Sequence, residues 1–548
     1  MAVREQLARL RSNAAEDETP TPVVFLAAAV AAAVLSPVVW LVWRASKIGV
    51  ADAVALLTSP TATDVLFNSL LLTAGVTGAS IVLGVPLAIL TVQTDLPFRR
   101  FWTVLIALPL VMPSYIGAFA YVSAFGPNGA LSNLLSPLGV TVPTVYGLGG
   151  TTLVLTLFVY PYVFLTTRAS LLSFDETQLE AARTLNHGFA SSFRRVILPQ
   201  ILPGVTAGSL LVALYALSDF GTPAIMRYDV FTRVIFVELN SLGQGRANAT
   251  LLSLQLLAVT AVILALESRV GGADSSGYGA PASSTAMVSL GPYRWLATLV
   301  PALVSLFTLA LPVGILGMWL VRSGPAAVAG GSGLAFQLEF AFNSVYVSVI
   351  AAAVTVVLAL PVAYFSGRSD GPLAWVVERA TYVGYAMPGV VLALALVFFA
   401  SQWLLETLGT GAVQVVYQSL PLLVFAYVVR FLPQAVGSTR SSVLGVDRSL
   451  IGAARVLGAT PGRAFRKVTL PLIAPGLLAG TALVFLTTMK ELPATLILHP
   501  TGFTTLVTYI WRVQEAGYYG QGALPALVLV TLSGLSMIPL LRQEGDDG

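Results

Sequence analysis

Three ionisable side chains at the ends of long uncharged stretches are the residues of this sequence best suited to chemistry. Asp219 closes one such stretch, and Lys490 and Glu491 close another. Ionisable groups near membrane depth are candidates for contact with a charged solute. Two interpretations stay open for Asp219, Lys490 and Glu491. They line a pathway or form its outer gate, or they are solvated helix ends whose charges reach the membrane surface.

The chain lacks the residues on which most catalytic and metal sites depend. It has no cysteine, and its two histidines, His187 and His499, are far apart in sequence. No Gly-x-x-x-x-Gly-Lys-Ser/Thr motif occurs, so we expect no phosphate-cradling loop for ATP. We therefore predict that this chain has no catalytic residue or metal site and binds no cofactor. Its net charge of +4 does not indicate a nucleic-acid partner, because cations of membrane proteins collect at the lipid boundary.

The composition places the chain in a lipid bilayer. Of its 548 residues, 56% are hydrophobic and 10% are charged, whereas soluble chains carry roughly 25% charged residues. Uncharged stretches long enough for a membrane helix recur along the sequence. They predict an all-α polytopic protein with about twelve transmembrane helices. The predicted spans are 23–43, 65–92, two within 101–167, 199–217, 247–266, 295–321, 340–367, 380–405, 407–429, 468–489 and 516–541.

The sequence contains one pattern twice. Asn68-Ser69 and Met112-Pro113 recur 275 residues later as Asn343-Ser344 and Met387-Pro388. The offset covers an even number of spans, so the two six-helix halves are parallel and related by a pseudo-twofold axis along the membrane normal. Pro113 and Pro388 are predicted kinks within the third and ninth spans, either as packing kinks or as bending points during a conformational change.

Further along, the offset contracts to 272, as a three-residue deletion in a loop would produce. It pairs Asp219 with Glu491 and Phe231-Thr232 with Phe503-Thr504. A carboxylate from each half would then face its counterpart across the pseudo-twofold axis. The uncharged stretch 492–511 is predicted to be re-entrant or external rather than spanning, because its partner in the first half carries charges that are costly at bilayer depth.

These patterns predict the organisation and orientation of the chain. The predicted segments are an N-terminal tail (1–22), an added first helix with its external loop (23–62), a first module (63–268), a linker (269–293), an added seventh helix with its external loop (294–338), a second module (339–542) and a C-terminal tail (543–548). With a cytoplasmic N-terminus, most of the 29 lysines and arginines fall on the cytoplasmic side, in agreement with the positive-inside rule. We therefore expect a multi-pass protein of the cell membrane, plasma or inner, with both termini cytoplasmic.

Two arginine-rich loops occupy the same position in each half, before the fifth and eleventh spans. Alanine, arginine and leucine favour a helix, a glycine ends it, and a proline opens the next span, where a missing N–H costs nothing. Each loop therefore predicts a short helix that docks in a cytoplasmic partner and passes force into the following span; the alternative is an ordinary basic loop. The residues concerned are Glu180, Ala181, Ala182, Gly188, Leu198 and Pro199 in the first loop and Gly452, Ala453, Ala454, Gly458, Leu470 and Pro471 in the second.

Both loops resemble the EAA loop of ABC importer permeases, which has Glu-Ala-Ala, a glycine about six residues on, and Leu-Pro nineteen residues after the first position. Each loop departs from the pattern, because Asn186 stands where glycine is usual and Gly452 replaces the glutamate. The phrases at 217–223 and 490–493 add a resemblance to the iron(III)-type permeases, which are similar to thiamine permeases and carry two fused type-I modules.

This resemblance implies a permease subunit that works by alternating access. It implies two copies of a cytoplasmic ABC ATPase, which hold ATP and magnesium, and an extracytoplasmic binding protein that delivers the substrate. Ferric iron is the favoured cargo, and thiamine or another small solute is the alternative. A gradient-driven secondary transporter with parallel halves is the remaining alternative, from a different class.

Overall fold

The computed structural model describes residues 20–126, 129–130, 137, 144–173, 193–241, 245–270, 289–329, 335–369 and 371–545, with only the backbone at 193, 196, 267–270, 324–329 and 537–545. The predicted tails and linker lie mostly outside these residues. The secondary structure in the described ranges is helical, without strands. A helix satisfies its own backbone hydrogen bonds, which lipid cannot do. Within the same ranges, ten helices are long and apolar enough to cross a membrane, and a bent pair adds an eleventh if it is counted as one span.

The region 20–329 contains most of its predicted spans in the predicted places. Its helices are α1 (Thr21–Ser46), α2 (Val50–Leu57), α3 (Pro60–Gln93), α4 (Arg99–Ala107), α5 (Ser114–Phe125), α6 (Gly147–Leu172), α7 (Leu198–Ser218), α8 (Gly221–Ile225), α9 (Phe231–Leu239), α10 (Gly245–Val270), α11 (Arg294–Ala297), α12 (Leu299–Ser305) and α13 (Leu311–Ala329). A π-turn at Leu306–Ala310 joins α12 to α13. The seventh predicted span is thus a composite helix.

The region 338–545 follows a similar order of elements. Its helices are α14 (Leu338–Arg368), α15 (Pro372–Ala386), α16 (Gly389–Phe398), α17 (Leu404–Leu408), α18 (Thr410–Val416), α19 (Leu420–Gly445), α20 (Arg448–Val456), α21 (Pro461–Ala464), α22 (Leu470–Lys490), α23 (Pro493–Leu498), α24 (Leu506–Glu515) and α25 (Tyr519–Gly545). Neither α23 nor α24 has the length of a span, and the same is true of their counterparts α8 and α9. The twelfth predicted span overlaps α25 over most of its length.

The tenth span lies elsewhere than the sequence predicts. The prediction of 407–429 ended where Arg430 interrupts the uncharged run, but α19 begins after Ser419 and continues to Gly445. The Ser419 hydroxyl accepts the N–H of Leu422 at 3.3 Å and caps the helix. The prediction was wrong because a membrane helix tolerates an arginine that faces protein partners rather than lipid.

Both prolines predicted as kinks lie at interruptions of a helix. The segment Arg99–Val111 and α5 meet at an angle of 89° around Met112-Pro113. In the second half, Met387 and Pro388 have extended backbone dihedrals that separate α15 from α16. Proline lacks the N–H that would continue the ladder of hydrogen bonds, so the same dipeptide interrupts the equivalent helix of each repeat.

Near α9, equivalent hydrogen bonds in the two repeats give an offset of 275 rather than the predicted 272. The Ser69 hydroxyl accepts the N–H of Phe231 at 3.0 Å, and the Ser344 hydroxyl accepts the N–H of Leu506 at 2.8 Å. Phe231 therefore corresponds to Leu506, at an offset of 275, and its predicted pairing with Phe503 is wrong. The second repeat has a longer turn before α24, and this insertion restores the first offset.

The chain forms two compact units. The C-terminal-repeat unit is built from Met1–Lys47, Gln337–Tyr509 and Thr531–Gly548. Within it, α1 packs against α14, α15 and α16, and the Trp40 ring lies 5.0 Å from that of Phe399. The first predicted span thus packs on the second repeat, although it precedes the first repeat in sequence.

The N-terminal-repeat unit is built from Ile48–Phe336 and Ile510–Val530. Here the composite helix of the seventh span packs against the first repeat, with α12 on α4 and α13 on α5. The hydroxyl of Tyr121 donates to the carbonyl of Phe307 at 2.8 Å, inside the π-turn. Each added helix therefore packs on the repeat that it does not immediately precede.

Candidate functional site

The second arginine-rich loop folds into the short helix α20, with a defined cap at each end. Asp447 precedes it and accepts the N–H of Ser449 at 2.8 Å. Gly458 follows it with φ of +85°, and the N–H groups of Gly458 and Ala459 both donate 3.0 Å bonds to carbonyls of the last turn. This is a Schellman motif, in which glycine adopts the left-handed backbone without steric cost.

The hydrogen bonds from Ser449 hold the pKa of the exposed Asp447 carboxyl below its ordinary value, because they favour the ionised form. A carboxyl whose pKa is lower in the folded chain contributes stability above the ordinary carboxyl pKa. That contribution is lost as the pH falls through the lowered pKa. The cap of α20 is therefore complete at neutral pH.

One side of α20 rests on the protein, and most of the helix is exposed. Ile451 packs against a cluster of Val443, Val446 and Ile473. Just past the other end of the helix, Leu457 is 87% exposed, next to an equally exposed valine. Apolar side chains at the tip of a short basic helix favour a protein partner that covers them.

A continuous helix leads from this loop into the predicted eleventh span. The run Pro461–Lys490 comprises α21, a π-turn at Phe465–Thr469, and α22. The sequence predicted that Pro471 begins the span, but helical structure already precedes it. A π-turn suits this position because Pro471 supplies no N–H for the preceding turn. At ~1.5 Å per residue, the 30 residues of the run form a rod about 45 Å long.

This rod packs closely against α19 at two glycines. A Cβ on Gly476 would clash with the Ser442 hydroxyl and lie 2.7 Å from the Ser438 carbonyl, and one on Gly480 would lie 2.6 Å from the Ser438 hydroxyl. Two glycines of α7 press on α6 of the first repeat in the same way. Glycines spaced by four allow membrane helices to approach closely, so α22 and α19 are closely packed along this face.

The rod ends with Lys490, the last residue of α22, and is followed by Glu491, whose carboxylate is buried. Glu491 Oε2 accepts the N–H groups of Ala494 and Thr495, each at 3.1 Å, at the start of α23. A Cβ on Gly389 would clash with Glu491 Oε1, which places the carboxylate against the break between α15 and α16. Glu491 therefore caps one short helix and contacts the interruption of another.

Asp219 occupies the equivalent position in the first repeat. Its Oδ2 accepts the N–H of Thr222 at 3.0 Å, and its Oδ1 accepts the hydroxyl of Ser114 at 2.8 Å. Ser114 follows the first Met-Pro pair, as Gly389 follows the second. The longer Glu491 thus meets glycine, and the shorter Asp219 meets serine. A role of these two carboxylates and of the neighbouring lysine in a pathway stays a prediction.

Arg430, the charged partner of Glu491, was not among the predicted site residues. Its Nε lies 3.9 Å from Glu491 Oε1, and the two side chains are 19% and 2% exposed. Its Nη1 donates to the carbonyl of Met387 at 3.3 Å. The sequence did carry a signal, since Arg430 interrupts an apolar run, but that signal was interpreted as the end of a span.

The first loop contributes less to the described site. Glu180, Ala181, Ala182 and Gly188 lie outside the described residues, so their predicted docking role is untested. The final residues of the loop are described: a π-turn at Phe193–Ile197 runs into α7, which begins at Leu198 and has proline as its second residue. The second repeat has the same π-turn before α22, so the two repeats enter their fifth and eleventh spans alike.

Comparison with known proteins identifies the class. Residues 80–268 and 359–542 both match the family described as binding-protein-dependent transport system inner membrane component. The chain belongs to this family and carries its domain twice, which confirms the predicted resemblance to ABC importer permeases. It is therefore a transporter subunit of the inner membrane, of a kind that works with a substrate-binding protein and an ATPase.

Three relatives illustrate the range of this similarity. The Fe(3+)-transport system permease protein FbpB 2 of Haemophilus influenzae is 29% identical over 92% of this chain and 95% of its own length. The ferric transport system permease protein FbpB of Actinobacillus pleuropneumoniae is 23% identical over 85% of this chain and 69% of its own. The molybdenum transport system permease protein ModB of Mycobacterium tuberculosis is 30% identical over 38% of this chain and 80% of its own.

Proposed function

We propose that this chain is the fused permease of an ATP-driven importer whose cargo is ferric iron. The observation that carries the proposal is the similarity to a ferric-iron permease across nearly the whole of both chains. The duplicated family domain supplies both halves of a permease in one polypeptide. ATP hydrolysis then belongs to a separate subunit, in keeping with the lack of a phosphate-cradling motif in this sequence.

The coupling of ATP hydrolysis to transport depends on two short helices, one in each arginine-rich loop. We place two copies of the ATPase subunit against these loops, on the cytoplasmic side together with both chain termini. The exposed tip of α20 and its contacts with the start of the rod 461–490 support this role for the second loop. Closure of the ATPase dimer pulls the loops together and opens the pathway outward, and hydrolysis returns it inward.

A line of contacts that runs inward from α20 supports this coupling. The rod 461–490 starts beside α20, packs on α19 through glycines, and leads to Glu491. Because Glu491 touches the Met387-Pro388 break, motion of the rod displaces a point at which the ninth span is already interrupted. A break needs less energy to bend than a continuous helix.

Uptake into proteoliposomes tests the proposal. The permease is reconstituted with its ATPase and binding protein, ATP is supplied on the side of the ATPase, and entry of radioactive ferric iron is followed. We expect uptake that requires ATP and the binding protein and that survives a proton or sodium ionophore. Uptake that persists without ATP and collapses with the ionophore would instead establish a secondary transporter.

A small oxyanion is the second candidate cargo, favoured by the similarity to a molybdenum permease over about one repeat. Thiamine stays a third candidate from the sequence resemblance alone. Competition in the same vesicles separates the three. Excess unlabelled molybdate or thiamine leaves ferric uptake unchanged if iron is the cargo.

A further inference from the structure

Arg430 is a cation near the middle of a membrane helix. It is the eleventh of the 26 residues of α19, and at ~1.5 Å per residue it lies within about 4 Å of the helix midpoint. A charge at this depth is costly, and such residues are rare and functional in membrane proteins. The protein must therefore gain something from Arg430 that an apolar residue would not supply.

The contacts of Arg430 leave part of its guanidinium open. Among the described residues, Nη1 donates to the Met387 carbonyl at 3.3 Å, Nε faces Glu491 at 3.9 Å, and Cζ lies 5.8 Å from the centre of the Phe431 ring, whereas a guanidinium has five N–H donors. Glu491 is itself engaged by two backbone N–H groups of α23. A partly exposed arginine held this way has the geometry to bind a further anion.

The duplicated half shows that the fold does not require a cation here. At the offset of 272, Arg430 corresponds to Phe158, which is 2% exposed and packs so closely on Gly117 that a Cβ there would clash with its ring. The next turn differs as well. Gln434 accepts the hydroxyl of Thr487 at 3.1 Å, where the first repeat has two tyrosine rings 6.2 Å apart.

We propose that Arg430 binds a carboxylate or phosphate-type anion that passes through the transporter. The planar fork of arginine suits the two oxygens of such groups, which a lysine ammonium engages only as a point charge. This inference rests on the proposed transport function and deepens it. Two sources supply such an anion: it is the cargo itself, or it is a ligand that travels on the ferric ion.

Equilibrium binding of radioactive phosphate and citrate to the permease in nanodiscs tests the site without transport. We expect Arg430→Gln and Arg430→Phe to weaken binding at least tenfold, and Arg430→Lys to weaken it less. Arg430→Phe introduces the residue of the first repeat where Leu392 stands in place of Gly117, so Arg430→Gln, which keeps a polar side chain, is the decisive variant. The matched control is Arg440→Gln, which removes another arginine of the same helix, paired with Glu378 at 3.5 Å, and should bind like the wild type.

Unchanged binding in Arg430→Gln, or an equal loss in Arg440→Gln, would overturn the site. Dual-label uptake in proteoliposomes then separates the two sources. Joint entry of iron and anion, both lost in Arg430→Gln, identifies a ligand of the ferric ion, whereas anion entry without iron identifies the anion as cargo. If the wild type imports no iron, the proposed ferric cargo fails, while the binding result still decides whether Arg430 holds an anion.

Discussion

The exchange of side-chain lengths between the two repeats predicts a compensating pair of mutations. In the second repeat, Gly389→Ser places a Cβ 2.8 Å from Arg430 Nη1 and 2.9 Å from the Pro493 ring, and against the Glu491 carboxylate. Overpacking of this kind costs about 1–3 kcal/mol. Glu491→Asp alone shortens the reach to the Thr495 N–H, because Asp219 in the first repeat engages the N–H three residues on, and an unsatisfied buried donor costs about 1–3 kcal/mol.

The double variant Gly389→Ser/Glu491→Asp brings together the serine and aspartate of the first repeat, in which the Ser114 hydroxyl donates to Asp219 at 2.8 Å. The new Cβ still meets Arg430 and Pro493, so we expect the double variant to recover only the stability lost at the carboxylate, with a coupling energy of about 1–2 kcal/mol, well above the ~0.5 kcal/mol scatter of independent sites. Unfolding of the purified permease in detergent, followed by tryptophan fluorescence for all four proteins, measures the cycle. Penalties that simply add would refute the matched-length explanation. The reciprocal pair Ser114→Gly/Asp219→Glu is the internal control.

Four further outcomes follow from the same contacts. Gly458→Ala forces an alanine to φ of +85° at a cost of about 1–2 kcal/mol and should reduce ATP-coupled uptake. The control Gly445→Ala, at an open position at the end of α19, should not reduce it. Equal uptake by both variants would contradict the role of the cap. Gly476→Leu should separate α22 from α19 and lower both thermal stability and uptake, while Gly437→Ala, where a Cβ meets nothing within 4 Å, should leave both unchanged. In hydrogen exchange, the amides of residues 448–456 should lose protection as the pH falls through the lowered pKa of Asp447. Asp447→Ala should show that low protection already at neutral pH. Protection in the wild type that does not change with pH would contradict the role of Asp447 as a cap. Because the chain has no cysteine, single cysteines can be introduced at the exposed positions Ser449 and Thr410. An impermeant maleimide should reach Ser449→Cys from the cytoplasmic side and Thr410→Cys from the external side, and the reverse pattern or labelling from one side would contradict the orientation.

Composition and local pattern were enough to establish the class of structure and the duplication. A chain with so few charges and so many apolar runs is predicted to lie in a membrane. Constant offsets between matching residues establish the two copies from the sequence alone. The loop motif also located α20 and the glycine that ends it, because helix propensity and a left-handed cap are local properties. These features depend on residues close together in the chain.

Contacts between distant residues became clear only in the folded chain. The charge of Arg430 led to the prediction that a span ends before it. Arg430 lies inside that span, because the Glu491 carboxylate and the Met387 carbonyl contact its guanidinium. The packing of each added helix on the more distant repeat could not be found either, since an apolar helix has no local property that selects its partner. The difference in length between Asp219 and Glu491 is likewise explained only by the folded chain, in which Asp219 contacts Ser114 and Glu491 contacts Gly389. Long-range partners are chosen by shape and charge in three dimensions, which the linear pattern of residues does not encode.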